Sequence, residues 1–434
     1  MQSERVNDVS NKSAPQKRLK VLLSVYSCQP GKGSEPGVGW AMVQQTSRFH
    51  DVWALTSAEN AVQIEPYLRE NPMPNVHFIY PKMPFWMPSW RKAYKLIRVH
   101  YYIWQIMAYR TIQRDYKDVP FDAVHHLTFV SYWTPSFLSR LSAPFVWGPV
   151  GGAESAPQSF YPSFDSRSRL NERLRDTIRW LAHTFDPFVR MTARRARVAF
   201  ATTQESAAKM RALGAKDVRT LGESGLAPSE IDFLGNLPML QTSKPVRFIS
   251  MGRLISWKAY HLGLQAFARF QQQNPESEYW IVGDGAELEN LKRLAVELSI
   301  QEKVHFTGKV PREEAMQKLA DAHALVHPSL HDSGGWVCLE AMAAGRPVIC
   351  LNLGGPATQV TPETGFIVPA PNPEQAVENL AKAMQALAND DAKRLKMGES
   401  GRSRVSELYN WDRKGEFYSS LYESLSSKSE KGLR

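Results

Sequence analysis

The stretch that most constrains the fold is His327–Pro347, HPSLHDSGGWVCLEAMAAGRP. Ala324–His327 before it is a short apolar run. Two glycines then break the chain, and apolar residues return at helical spacing from about Val337–Leu339. A strand, a Gly-Gly loop and a helix in such quick succession are the ligand-bearing turn of a parallel α/β sheet. Glycine leaves no side chain in front of the main chain, so the N–H groups of Gly334, Gly335 and Trp336 can approach a ligand closely. The free N–H groups at the helix start favour an anion there. Asp332 precedes the loop and Glu340 opens the helix. A carboxylate on each side of an anion site makes chemical sense when the ligand carries hydroxyls as well as phosphate, as a nucleotide sugar does.

The rest of the chain repeats this alternation. Leu19–Tyr26 reads as a buried strand, followed by CQPGKGSEPGVGWAM and a helical pattern from Trp40. Val52–Leu55, Val76–Ile79, Ala123–His126, Phe145–Trp147 and Val198–Thr202 read as further strands. The polar, proline-interrupted LGNLPMLQTSKP (234–245) marks a boundary, and a second alternation starts at Val246. Strands follow at Trp280–Val282, Val304–Phe306, Ala324–His327 and Pro347–Cys350, with Gly, Arg, Lys and Asp in the loops after them. The expected fold class is α/β, with two Rossmann-like doubly wound parallel sheets. The expected division is a disordered tail over 1–18, an N-terminal domain over 19–240 and a C-terminal domain over 241–410. Residues 411–434 form a last helix, packing back on the N-terminal domain, and a tail.

Of the 434 residues, 43% are hydrophobic and 22% charged, which is ordinary for a soluble protein. No apolar run approaches the roughly 20 residues that span a bilayer, and the polar N-terminus has no signal-peptide core. The three cysteines, Cys28, Cys338 and Cys350, lack metal-ligand spacing and read as reduced thiols of a cytoplasmic protein. A net charge of +10 suits phosphorylated substrates or an anionic membrane face. Without a nucleic-acid-binding motif, nucleic acid is not an expected partner.

Lys82–Asp118 interleaves aromatics with lysines and arginines. Trp86, Trp90, Lys92, Lys95 and Arg98 are its candidate membrane contacts, at the inner face of the plasma membrane. The competing reading is a helix packed by its aromatics with a solvated basic face. The arginine-rich Arg167–Arg197 reads as helical and largely solvated. His125 and His126 are adjacent on a strand and so point to opposite faces; one can face a cleft while its neighbour packs.

With these residues laid out, the C-terminal half resembles the retaining glycosyltransferases of family four (glycosyl transferases group 1), which have the two-domain GT-B fold. The matching pieces are MGRLISWK (251–258), VGDGAELENL (282–291), FTGKVPREE (306–314), the 327–349 stretch, NLGGP (352–356) and GFIVP (365–369), in the family's order and spacing. The N-terminal half matches more sparsely, through SCQPGKGSEPGVGW and the DAVHH strand end. Three departures stand out. Asp332 occupies the first position of an acidic pair that is usually two glutamates; Ala259 follows Lys258 where glycine is usual; and Thr358 stands where the family often has glutamate.

The resemblance implies two domains facing across a cleft, a nucleotide-sugar donor in the C-terminal one and a saccharide acceptor at the N-terminal one. Arg253 and Lys258 would clamp the donor diphosphate, Glu340 the ribose hydroxyls and Asp332 the hydroxyls of the transferred sugar. Gly334, Gly335 and Trp336 would present N–H groups to the donor, and Gly37 and Gly39 would bring the first loop close to its diphosphate. His126, or failing it His125, would face the transferred sugar, with Gly151 also on the acceptor side. No metal or other cofactor is implied. The reading is a retaining hexosyltransferase acting on a lipid-linked acceptor in exopolysaccharide or cell-surface glycan assembly, with a UDP- or GDP-linked donor. A soluble-acceptor enzyme or disaccharide-phosphate synthase of the same fold, and a non-catalytic nucleotide-sugar-binding scaffold, are the alternatives.

Overall fold

The computed structural model describes residues 17–87, 96–164, 166–240 and 245–431. The first sheet takes Lys20–Ser24 (β1), Asp51–Leu55 (β2), Val76–Ile79 (β3), Ala123–His126 (β4), Phe145–Val150 (β5), Ala196–Ala201 (β6) and Val218–Thr220 (β7), in the order β3-β2-β1-β4-β5-β6-β7. The second takes Arg247–Met251 (β8), Glu278–Val282 (β9), Val304–Gly308 (β10), Ala324–His327 (β11), Val348–Leu351 (β12) and Gly365–Val368 (β13), in the order β10-β9-β8-β11-β12-β13. All these strand pairs are parallel. Each sheet reverses its winding once, between β1 and β4 in the first and between β8 and β11 in the second. Such a switch point opens a crevice beyond the strand ends.

The helices that cover the first sheet are α1 (Ser34–Phe49), α2 (Ala61–Glu70), α3 (Ile97–Asp115), α4 (Ser166–Phe185), α5 (Pro187–Arg195) and α6 (Gln204–Ala212). After β7, α7 (Pro228–Gly235) leads into the second domain. There follow α8 (Tyr260–Gln271), α9 (Leu288–Glu297), α10 (Arg312–Ala320), α11 (Trp336–Ala343), α12 (Pro356–Gln359), α13 (Pro373–Ala388) and α14 (Asp391–Leu408). The chain ends on α15 (Trp411–Lys431), which crosses back to the first domain and packs along α1. Its Tyr418 and Tyr422 are buried in one core with Val21, Leu23 and Phe200. The other face of the same sheet is closed by α3, which turns Tyr101, Trp104, Ala108 and Ile112 inward at three- and four-residue spacing. Aromatic packing is thus what the 97–115 segment does, and its aromatics ring Tyr26 edge-on.

Two local readings change. Helix α1 begins at Ser34, well before Trp40, so Gly37 and Gly39 lie inside it rather than in a ligand loop. A Cβ on Gly37 would fall 2.2 Å from the Lys32 carbonyl oxygen, and one on Gly39 2.1 Å from that of Ser27. These glycines let the helix fold back against its own entry loop. The Arg167–Arg197 segment, read as helical throughout, is two helices and ends in the first residues of β6. Asp186 caps α5 by accepting from the Phe188 and Val189 N–H groups, and Pro187 begins it.

Because Tyr422 sits wholly inside the first domain's core, Tyr422→Ala is expected to destabilise that domain by about 3–5 kcal/mol. Urea unfolding followed by near-UV circular dichroism reads this; a change below about 0.5 kcal/mol, the usual size for a surface substitution, would show that α15 is not part of that core.

Candidate active site

The loops that leave β1, β4, β5 and β7 meet those that leave β8 and β11 around a cavity of about 560 Å³ between the two domains. Both switch points therefore open onto the same space. From the C-terminal domain come Arg253, Trp257, Lys258 and residues 331–337; from the N-terminal domain come Glu35, Arg98, Gly151, Glu154, Arg175, Arg179 and Glu223.

Asp332 organises the C-terminal wall. Its Oδ2 lies 2.5 Å from Lys258 Nζ and 3.1 Å from His327 Nε2. Its Oδ1 accepts from the N–H groups of Gly334 and Gly335, at 3.2 and 3.3 Å. Burial would raise this carboxyl, but the Lys258 charge and the His327 hydrogen bond outweigh it and hold the group well below the ordinary carboxylate range. The two glycine N–H groups expected to meet the donor are thus already taken by Asp332, while Trp336 and Val337, at the start of α11, line the cavity. Arg253 is exposed at the rim, and no side-chain hydrogen bond or ion pair holds it among the described residues. Ala259, directly after Lys258, has a left-handed backbone (φ 51°). That conformation is the one that favours glycine, so alanine holds it at some strain.

Glu340 does not reach the cavity wall. It is buried, and Arg312 takes its carboxylate at 2.6 Å while also holding Glu230 at 2.7 Å. Burial raises the Glu340 carboxyl despite the Arg312 charge.

The histidine assignment is corrected. His126 Nε2 is 2.6 Å from Tyr101 Oη on α3, and His125 is held between Tyr422 Oη and the Gly148 carbonyl oxygen, each at 2.6 Å. Both are fully buried, burial pulls both down to about 3, and neither lines the cavity. The imidazole that does face the cleft is His331. Burial, then the charges of Arg175 and Arg179, pull it down to about 3, so it is neutral, and its buried Nδ1 has no hydrogen-bond partner.

The membrane-contact candidates also part company. Trp86 is exposed, whereas Trp90, Lys92 and Lys95 lie outside the described residues. Arg98 turns inward: its guanidinium lies 4.8 Å over Phe129 and 5.1 Å over Trp133 and donates to Ser131 Oγ at the cleft wall. Gly151 sits where expected of a close approach, since a Cβ there would lie 3.2 Å from Ser333 Cβ of the other domain.

Sequence reasoning missed Glu223. It follows the short strand β7 and crosses the domain boundary to accept from Ser333 Oγ at 3.0 Å. A Cβ on Gly334 would come 3.0 Å from its Oε1. Burial, joined by the charges of Glu35, Glu154 and Asp332, pushes its carboxyl up to about 8 against the Ser333 bond. Lys414 of α15 donates to the carbonyls on either side of it, Gly222 and Ser224, both at 2.6 Å, and burial pulls that amine down to about 7. The cleft therefore holds a carboxylic acid that stays protonated at neutral pH and can donate as well as accept. No three-residue His/Cys/Asp/Glu cluster suited to a metal occurs among the described residues. The three cysteines are buried and free.

Two Rossmann-like domains with their switch points facing across one cleft define the GT-B architecture. Residues 240–404, in the C-terminal domain, match the family described as glycosyl transferases group 1. Among similar curated proteins, a GDP-mannose-dependent monoacylated alpha-(1-6)-phosphatidylinositol monomannoside mannosyltransferase of Corynebacterium glutamicum is 30% identical over 179 residues, 40% of this chain and 45% of the relative. A D-inositol 3-phosphate glycosyltransferase of Corynebacterium jeikeium is 32% identical over 200 residues, 44% of this chain and 46% of the relative. The matches thus span less than half the length of these relatives. Across the whole fold, the chain superposes on the sucrose-phosphate synthase of Thermosynechococcus elongatus with a TM-score of 0.60 at 19% identity, covering 95% of this chain and 100% of that one.

The raised Glu223 carboxyl has a stability consequence. In the unfolded chain the group loses its proton near the ordinary glutamate value of 4.5, and in the folded protein only at about 8. Between those values the folded state holds the extra proton, so this group's contribution to stability falls as pH rises through the window and levels off above it. Lys414 acts in the opposite sense above about 7. The expected result is that Glu223→Gln gains on the wild type in thermal stability from about pH 4.5 to 8 and no further beyond. A pH-independent difference would mean that Glu223 ionises normally.

Proposed function

We propose that the protein is a retaining glycosyltransferase that moves a hexose from a UDP- or GDP-linked donor to a lipid-linked saccharide acceptor, in exopolysaccharide or cell-surface glycan assembly. The observation that carries the reading is the cation pair on the loop after β8, beside the start of α11. Lys258 is fixed by Asp332 and Arg253 is unengaged, both at the open switch point. Two cations there offset the charge that develops on a departing nucleoside diphosphate. The names of the C-terminal relatives, a GDP-mannose-dependent transferase among them, support a nucleotide-sugar donor.

In this reading the acceptor hydroxyl attacks the front face of the sugar, and the leaving phosphate oxygen takes its proton, so no strong protein base is required. His331 replaces His126 as the neutral imidazole available to the sugar. Asp332 meets the sugar only with the oxygen valences that Lys258, His327 and the glycine N–H groups leave free. Glu340 can take the ribose hydroxyls once Arg312 moves off its carboxylate. The reaction needs no metal, and activity should persist in EDTA.

A soluble, phosphorylated acceptor is the second reading. It is favoured by Arg98, Arg175 and Arg179 on the N-terminal wall and by the name of the inositol 3-phosphate relative.

Thermal-shift measurements with UDP, GDP, ADP and their sugars test the donor, since only a ligand of the folded state raises the melting point. One base is expected to stand out. Arg253→Ala and Lys258→Ala should each lower kcat/KM for slow donor hydrolysis by about 10²–10³, and the anomeric signal of the product, read by NMR, should match that of the donor. If no nucleotide shifts the melting point the reading fails; if one binds tightly but no acceptor is ever glycosylated, the scaffold alternative holds.

A further inference from the structure

Helix α4 has two working faces. At 100° per residue, Leu170, Leu174, Ile178, Leu181 and Phe185 fall within an arc of about 80°. Each leaves between 44% and 67% of its surface exposed, and Trp180 beside them is exposed as well. A soluble monomer seldom leaves so continuous an apolar stripe in water. On the flank and far side of the helix respectively, Arg175 and Arg179 line the cleft between the domains.

The charges of α4 indicate what covers the stripe. Its two acids, Glu172 and Asp176, are engaged by Arg175 and Arg179 respectively. Among the residues of α4 whose side chains are described, the exposed charge flanking the stripe is Arg173. A second copy of the chain docked stripe to stripe about a two-fold axis would bring the same arginine face against itself, with no acid to oppose it. An anionic lipid surface supplies both the apolar depth and the negative charge. The neighbouring element also exposes apolar side chains. Leu96, just before α3, and Val99 in its first turn are exposed, and Tyr102, one turn on, donates at 3.1 Å to Oδ2 of Asp186, the residue between α4 and α5.

We propose that the outer face of α4 lies on an anionic bilayer, so that the cleft this helix walls opens at the level of the lipid headgroups. This rests on the glycosyltransferase reading and sharpens it. The acceptor would be presented by the membrane on which α4 lies, and the membrane contact would be α4 rather than the basic run from Trp90 to Arg98.

The test uses the full-length protein and vesicles of phosphatidylcholine with and without phosphatidylglycerol. Wild type is expected to cosediment with the anionic vesicles, less at high salt, and not with the zwitterionic ones. Leu174→Ser/Leu181→Ser is expected to bind at least tenfold more weakly while keeping the same melting point and the same donor hydrolysis without vesicles; both residues are exposed and away from the cleft. Equal retention of the variant, or no retention of wild type, overturns the proposal. So does a wild-type dimer in light scattering that the variant turns into a monomer, since the occupant would then be a second copy. Lost vesicle binding with donor hydrolysis intact sinks the membrane surface alone. Absent donor hydrolysis with vesicle binding intact sinks the enzyme reading and leaves the surface standing.

Discussion

The contact between Lys258 and Asp332 ties together everything on the C-terminal side of the cleft. A half-buried carboxylate is costly unless its oxygens are satisfied. Asp332 satisfies them with one ammonium, one imidazole and two main-chain N–H groups. Each of those partners belongs to a different part of the switch point: the loop after β8, the end of β11, and the glycine turn before α11. One side chain thus fixes three segments relative to one another. The backbone of Asp332 does the same for a fourth, accepting from Gly355 N–H at 2.7 Å. There Gly354 and Gly355 have no Cβ to collide with the 332–333 carbonyls, at 2.3 and 2.0 Å. A pre-set cation beside a rigid turn is what stabilises charge without reorganisation during a reaction.

The other half of the cleft depends on close approach rather than on charge pairing. Gly151 against Ser333, and Glu223 against Ser333 and Gly334, are contacts between the domains at the centre of the cavity. Glu223 is held there from behind by Lys414, which belongs to the last helix of the chain. The C-terminal helix therefore does more than cover a sheet. It links the first domain's core, through Tyr418 and Tyr422, to a carboxyl group in the cleft, so that the position of Glu223 is coupled to how the two domains sit.

Much of the fold was legible because strands and helices alternate with glycine turns, and eleven of the thirteen strands among the described residues could be read from apolar runs. The two that escaped, β7 and β13, are short edge strands with partly exposed residues, where the apolar signal is weakest. The site was legible on the side where loops are short and motifs dense. It failed at His125 and His126 for a physical reason. Alternation along a strand does send them to opposite faces, but a parallel sheet is covered on both. Here α15 buries one and α3 the other, and cleft residues come from beyond the strand end. His331 and Glu223 meet that condition, His331 in the loop after β11 and Glu223 beyond an edge strand too weak to read. Gly37 and Gly39 misled because glycines that let a helix pack on its entry loop look, in sequence, like glycines that admit a ligand.

Helix α4 shows why composition alone does not separate a basic helix packed by its aromatics from one that leaves an apolar face uncovered. Both the 82–118 segment and α4 are rich in cations and large apolar residues. What separates them is which face the sheet consumes. The buried aromatics of α3 are spent on the first domain's core, and Arg98 on the cleft, while Phe85, Trp86, Leu96 and Val99 of the same segment stay exposed. α4 packs on its neighbours through a narrow face that carries Glu172 and Arg179, and its leucines stay exposed among the described residues. An apolar stripe that no sheet claims, backed by arginines that line the cleft, connects the outside of the molecule to its site within a single helix diameter of about 10 Å. Under the proposed membrane orientation, that short span would let an acceptor's lipid stay in the bilayer while its sugar enters the cleft.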